Sequence, residues 1–138
     1  TGLFITYDGS GRTLQSCDVG HSHIFVFRDG RMLRVATNQN NLPIGVVLEI
    51  EPKMSRFVPQ DNDILMIVTD GLLEQENADG EVYSMERVTG ILRRRADQPV
   101  EVINQVLIDD FEEFRGNHHL NDDVTYGIMK FVPQHVSL

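Results

Sequence analysis

The feature that most constrains the fold is a run of five consecutive apolar residues, 64–68, followed at once by Thr69-Asp70-Gly71. A half-exposed strand alternates apolar and polar side chains, because successive side chains point to opposite faces. An unbroken apolar run that is too short for most helices instead predicts a strand buried on both faces. Such a strand must lie inside a sheet whose two faces are both covered.

The segments before this run predict short strands separated by turns. Asp29-Gly30 stands between two apolar runs, 24–27 and 32–35, which is a strong signal for a β-hairpin. The polar stretch 38–41 is expected to form a loop, with Pro43-Ile44-Gly45 after it. Further strands are expected over 3–7, 13–19 and 55–58.

Two helices and one more strand are expected after the run. Ser84 is a candidate N-cap for the first helix, and Pro99 can open the second at its first turn. The final strand is expected over 124–132. This order predicts an α+β fold with antiparallel β-sheets flanked by helices. Apolar side chains recur at helical spacing in the second helix: Val102, Ile103, Val106, Leu107, Phe111 and Phe114.

Length and composition favour one globular domain. The 138 residues suit a single domain over 1–138, and 41% apolar residues are enough for a core. The chain opens on Thr1 and runs directly into apolar residues 3–5, so we expect it to be a partial domain from a longer protein.

Charge and cysteine content narrow the function classes. The net charge of −9 disfavours nucleic acid as a partner, since phosphate binding needs lysine and arginine. No apolar run approaches the length of a membrane span, so no membrane contact is expected from this segment. The single cysteine, Cys17, excludes an internal disulfide and fits the cytoplasm.

Acidic residues mark the ends of two predicted strands. Asp70 follows the run 64–68, whereas Asp122 and Asp123 precede the final strand. If these strands pair antiparallel, Asp70 and Asp122 meet at one edge of the sheet. Clustered carboxylates repel one another unless a cation neutralises them, and hard oxygen ligands suit Mg²⁺ or Mn²⁺. The alternative is that these residues simply form turns, which Asp, Asn and Gly favour.

Other site chemistries have weaker support. His21 and His23 would share one face of a strand, yet no further cysteine or histidine pair stands at a usual zinc spacing. No phosphate-cradling glycine loop and no nucleophile elbow occur in the sequence.

Three segments in register carry a family resemblance. The stretch Asp63-Ile-Leu-Met-Ile-Val-Thr-Asp70-Gly71-Leu-Leu-Glu74 and its continuation to Gly80-Glu81 resemble the central signature of the SpoIIE-type phosphatases. These are bacterial members of the PPM, or protein phosphatase 2C-like, family. Asp122-Asp123-Val124-Thr125 resembles the motif that opens their last strand. Asp18-Val19-Gly20-His21 is similar to their Asn-Ala-Gly-His motif, with Asp in place of Asn.

The resemblance implies a β-sandwich flanked by helices and a two-metal site, with Mn²⁺ or Mg²⁺, that activates water against phosphoserine or phosphothreonine. Asp70 and Asp122 match metal ligands of the family, and Asp123 is a further candidate. Gly71, Gly20 and His21 match residues that shape the site. The implied substrate is a phosphorylated protein, for example an anti-sigma-factor antagonist.

The sequence departs from the family by lacking its Gly-Asp and Asp-x-x-Gly-His-Gly motifs, the second of which supplies an aspartate that bridges the metals. We therefore expect a partial PPM-like sandwich from a protein whose full length is the enzyme, with a homodimer as an open option. The alternative is a non-catalytic regulatory or interaction module that keeps the phosphatase fold.

Overall fold

A computed structural model describes residues 2–20, 23–35, 42, 45–46, 49 and 53–133. It contains seven strands and three helices in these ranges. In chain order they are β1 (Gly2–Asp8), β2 (Thr13–Val19), β3 (Ile24–Arg28), β4 (Arg31–Arg34), β5 (Ser55–Phe57), β6 (Ile64–Val68), α1 (Asp70–Leu73), α2 (Ser84–Arg95), α3 (Val100–Arg115) and β7 (Tyr126–Lys130).

The strands form two antiparallel sheets. The first has the order β1-β2-β5 and the second the order β4-β3-β6-β7. The predicted antiparallel pairing of the apolar run with the last strand is confirmed, with Ile64 opposite Lys130 and Val68 opposite Tyr126. The α+β class with antiparallel sheets and flanking helices is confirmed as well.

Strand β6 has both faces covered, as its unbroken apolar sequence requires. Leu65 and Ile67 pack with side chains of the first sheet, including Leu14 of β2. Ile64, Met66 and Val68 face the other way and pack against α2 and α3. The second sheet is therefore the middle layer, between the first sheet and the helices.

Helix α3 supplies much of the helical side of this core. Ile103, Leu107 and Phe111 are buried, as predicted, whereas Phe114 is only partly buried. Phe111 meets Tyr83 edge to face, with ring centroids 5.2 Å apart. These contacts fix α3 against the middle layer.

Some local predictions need correction. Ser84 is not an N-cap: it is the first residue of α2, with a φ of 60°, and Tyr83 precedes it without a side-chain cap. Pro99 stands just before α3 rather than in its first turn, and the short helix α1 was not predicted. The expected loop 38–41 and Pro43-Ile44 lie outside the described residues.

Cys17 is a free thiol that is buried in β2. In the part of the chain that the structure describes, none of the helices has the length and apolar character needed to cross a membrane.

Candidate functional site

Hydrogen bonds of Thr69 hold the end of β6 against the residue that precedes β7, Thr125. The backbone N–H of Thr69 donates to the carbonyl of Thr125 at 2.9 Å, and its hydroxyl accepts the Thr125 N–H at 3.0 Å. The same hydroxyl lies within 3.2 Å of the Asp123 carbonyl. Thr69 therefore fixes the residue after it, Asp70, against the segment that carries Asp122.

Gly71 makes this close approach possible. A β-carbon at this position would lie 2.3 Å from the carbonyl oxygen of Asp123 and 2.9 Å from its carbonyl carbon. Both neighbours are backbone atoms, which cannot rotate away as a side chain would. Only glycine lets α1 approach the backbone of Asp122 and Asp123 this closely without moving the main chain.

We expect Gly71→Ala to lower the free energy of unfolding by about 1–3 kcal/mol, the usual cost of adding a methyl group to a filled space. Chemical denaturation of the two proteins measures this difference. Gly30→Ala is a poor control because the φ of Gly30 is 74°, whereas Gly127→Ala meets nothing within 4 Å and lacks that strain. A Gly71→Ala protein no less stable than Gly127→Ala would contradict the tight contact.

A cleft of about 490 Å³ opens beside this junction. Asp70 and Asp122 both line it, so the two residues lie at the same edge of the sheet. Asp123 and Gly20 are not among the lining residues, and His21 lies outside the described residues. The complete lining is Asp70, Gly71, Glu74, Glu76, Val82, Asn121 and Asp122.

The charge of this cleft comes from four carboxylates, those of Asp70, Glu74, Glu76 and Asp122, and all four residues are exposed. No basic residue lines it among the described residues. An anionic group entering such a cleft would be repelled unless a cation were bound there. The cleft is therefore suited to cations, or to anions that arrive with a cation.

Gln75, which was not predicted from the sequence, links the two sides of the cleft by hydrogen bonds. Its side chain is fully buried, and its amide donates to the carbonyl of His119 at 3.0 Å. Its amide oxygen accepts the N–H of Asn121 at 3.2 Å. Gln75 lies between Glu74 and Glu76 in sequence. Its two hydrogen bonds therefore hold the segment that carries these glutamates against the loop before Asp122. No residue pattern marks a glutamine for this task.

A second residue that sequence reasoning did not assign to the site is His23. Its Nε2 lies 2.6 Å from Oδ1 of Asp70. The sequence pairs His23 with His21 as a weak zinc candidate, whereas the structure places its ring against a carboxylate. His23 stands one residue before β3, and the pairing of β3 with β6 brings it to Asp70, which the sequence alone does not report.

The oxygen ligands that the cleft offers are of the chemical type that a hard divalent cation binds. Asp70 and Asp122 offer carboxylate oxygens, the ligands that Mg²⁺ and Mn²⁺ prefer. In the part of the chain that the structure describes, no group of three or more His, Cys, Asp or Glu side chains is arranged to hold a metal ion. The two aspartates thus fit as part of a ligand set, and further ligands would have to complete it.

Comparison with known structures places this fold. The chain is similar to the SiaA-PP2C domain of Pseudomonas aeruginosa, with a TM-score of 0.75 and 20% identity over 94% of this chain and 50% of that one. It is similar to the phosphatase domain of SpoIIE from Bacillus subtilis, with a TM-score of 0.66 and 14% identity over 96% and 56%. For the RsbU and RsbW domains of a Mycobacterium tuberculosis protein the TM-score is 0.71, with 20% identity over 96% and 36%.

These likenesses, at low identity, show the fold, and the chain spans about half the length or less of the structures compared. No curated protein sequence matches the chain significantly. The family model described as Stage II sporulation protein E (SpoIIE) matches residues 1–132. With nearly its whole length matched, the chain belongs to the SpoIIE family.

Proposed function

We propose that this chain is part of the catalytic domain of a metal-dependent phosphoserine/phosphothreonine protein phosphatase in bacterial signalling. The observation that carries the proposal is the meeting of Asp70 and Asp122 in one cleft at the junction of β6 and β7. Membership of the SpoIIE family supports the reaction class. The proposal treats residues 1–138 as one partial domain, whose remaining metal ligands lie elsewhere in the full-length protein.

Asp70 and Asp122 are the residues we propose to hold Mn²⁺ or Mg²⁺, with Asp123 as a further candidate. Two such ions, when bound, would lower the pKa of a water and neutralise charge on a phosphoryl group. The residues of this chain supply the framework for that chemistry. Thr69 and Gly71 hold the two aspartates at one edge of the sheet, and Gln75 holds the loop that leads to Asp122.

The charge of the cleft supports metal dependence. A phosphorylated side chain carries close to two negative charges at neutral pH. Four carboxylates line the cleft, so such a group would be repelled without cations to offset them. We propose a phosphorylated protein as substrate, in the class of the anti-sigma-factor antagonists that the family resemblance implies.

The proposal is tested by steady-state hydrolysis of a phosphoserine peptide. We expect the full-length protein to be active with Mn²⁺ and to lose activity in EDTA, because the carboxylates alone cannot polarise a phosphoryl group. We expect the isolated 138-residue chain to show little hydrolysis, since two carboxylates hold a divalent cation only loosely. Circular dichroism of the isolated chain checks that it is folded.

A full-length protein without Mn²⁺-dependent hydrolysis of phosphoserine or phosphothreonine peptides would contradict the proposal. It would favour the non-catalytic regulatory module instead. A fully active isolated chain would contradict the location that we propose for the remaining ligands.

A further inference from the structure

The geometry points to His23 as a positioning residue for Asp70, which it holds by a hydrogen bond from Nε2. This inference rests on the proposed function, because it gives the fixed carboxylate the task of binding a divalent cation. His23 itself is proposed to touch neither substrate nor cation. It acts through Asp70 alone.

The backbone places His23 where the contact requires it. The carbonyl of His23 accepts the N–H of Val68 at 3.1 Å, so the pairing of β3 with β6 extends one residue before the start of β3. His23 is thus level with the end of β6, two residues before Asp70. Its ring lies 6.5 Å from that of Phe25, on the same side of the strand, at an interplanar angle of 33°. The sheet therefore sets the backbone position of His23 and the side of the strand on which its ring lies.

The chemistry of the pair gives Nε2 of His23 the role of donor. A carboxylate oxygen only accepts hydrogen bonds, so a hydrogen bond across the 2.6 Å between Nε2 of His23 and Oδ1 of Asp70 uses a proton on Nε2. This bond occupies Oδ1 of Asp70 and restricts rotation of the carboxylate. Oδ2 is left as the oxygen that can turn to a cation.

The second aspartate is held by the same principle. Oδ1 of Asp122 accepts the backbone N–H of Asp123 at 2.7 Å. Each of the two cleft aspartates thus has one oxygen engaged by a donor of this chain. For Asp122 the donor is a main-chain N–H, which every residue except proline supplies, whereas for Asp70 it is a particular side chain.

The exposure of the two side chains indicates that the His23–Asp70 contact orients the Asp70 carboxylate more than it stabilises the fold. The Asp70 side chain is 59% exposed and that of His23 is 29% exposed. Polar contacts between side chains this exposed contribute little to folding stability. Hydrogen bonds to ligating groups, by contrast, commonly change metal affinity by about 10- to 100-fold.

The test measures Mn²⁺ affinity of the full-length protein from the electron paramagnetic resonance signal of free Mn²⁺. We expect His23→Leu, which keeps much of the volume but has no donor, to weaken binding by about 10- to 100-fold. We expect His23→Gln to bind close to wild type, because its amide N–H₂ can replace Nε2–H. Thermal melts of both variants should match wild type.

A second test needs no metal: NMR of ¹⁵N-histidine-labelled protein detects the hydrogen bond directly. We expect His23 to show the Nε2–H tautomer, and its ¹⁵N signals to shift in Asp70→Asn. Unchanged affinity in His23→Leu, an equal loss in His23→Gln, or the Nδ1–H tautomer would each overturn the inference. A wild-type protein that binds no Mn²⁺ would instead overturn the proposed function, and the role of His23 would fall with it.

Discussion

Replacing Asp70 or Asp122 by asparagine is expected to lower kcat/KM of the full-length protein for a phosphoserine peptide by at least about 100-fold. A neutral amide has nearly the shape of the carboxylate but loses the charge that holds a divalent cation. Bound metals contribute several kcal/mol to stabilising transition-state charge, and each 1.36 kcal/mol corresponds to a tenfold change in rate.

Asp29→Asn is the matched control for both variants. Asp29 is exposed in the turn between β3 and β4, at the opposite end of β3 from His23, and its φ of 49° is one that asparagine tolerates. The change in net charge is the same, so a general electrostatic effect would appear in all three variants. Asp70→Asn and Asp122→Asn proteins as active as Asp29→Asn would rule out the assignment of these residues.

Replacing Phe111 by alanine is expected to lower the free energy of unfolding by about 3–5 kcal/mol, the usual range for a buried phenylalanine. Phe111 of α3 is 7% exposed and packs against Tyr83. Removing its ring therefore leaves a cavity on the helical side of the core. Urea denaturation measures the loss.

Phe4→Ala is the matched control, because the Phe4 side chain on β1 is 61% exposed. We expect it to cost less than about 1 kcal/mol. A cost below about 1 kcal/mol for Phe111→Ala as well would contradict the burial of Phe111.

The two central strands were predictable because their signals are local and strong. Five apolar residues over 64–68 predict a strand with both faces covered, and Leu65 and Met66 do point to opposite layers. The hairpin of β3 and β4 followed from Asp29-Gly30, both of which have positive φ in the structure. Ser84 misled the prediction because a serine before an apolar helical face is the usual N-cap pattern, whatever the preceding backbone does.

The candidate site was predictable only where a residue lies at the end of a predicted strand. Asp70 and Asp122 met that condition, and antiparallel pairing brought them together. His23 and Gln75 act through contacts with residues distant in sequence, to Asp70 and Asn121, and no spacing rule reports those. Asp123 shares its sequence signal with Asp122, but it is not among the residues that line the cleft.

The Thr69–Thr125 junction has a consequence for how the protein folds. The two residues are 56 positions apart, and α1, α2 and α3 lie between them. Closing so long a loop costs chain entropy before any contact offsets it, so native pairings of this kind form slowly. We expect the cleft to be assembled late, after the helices have docked. Because the Thr125 N–H donates to the Thr69 hydroxyl, its amide exchange should then report on the openings that separate the start of β7 from the end of β6.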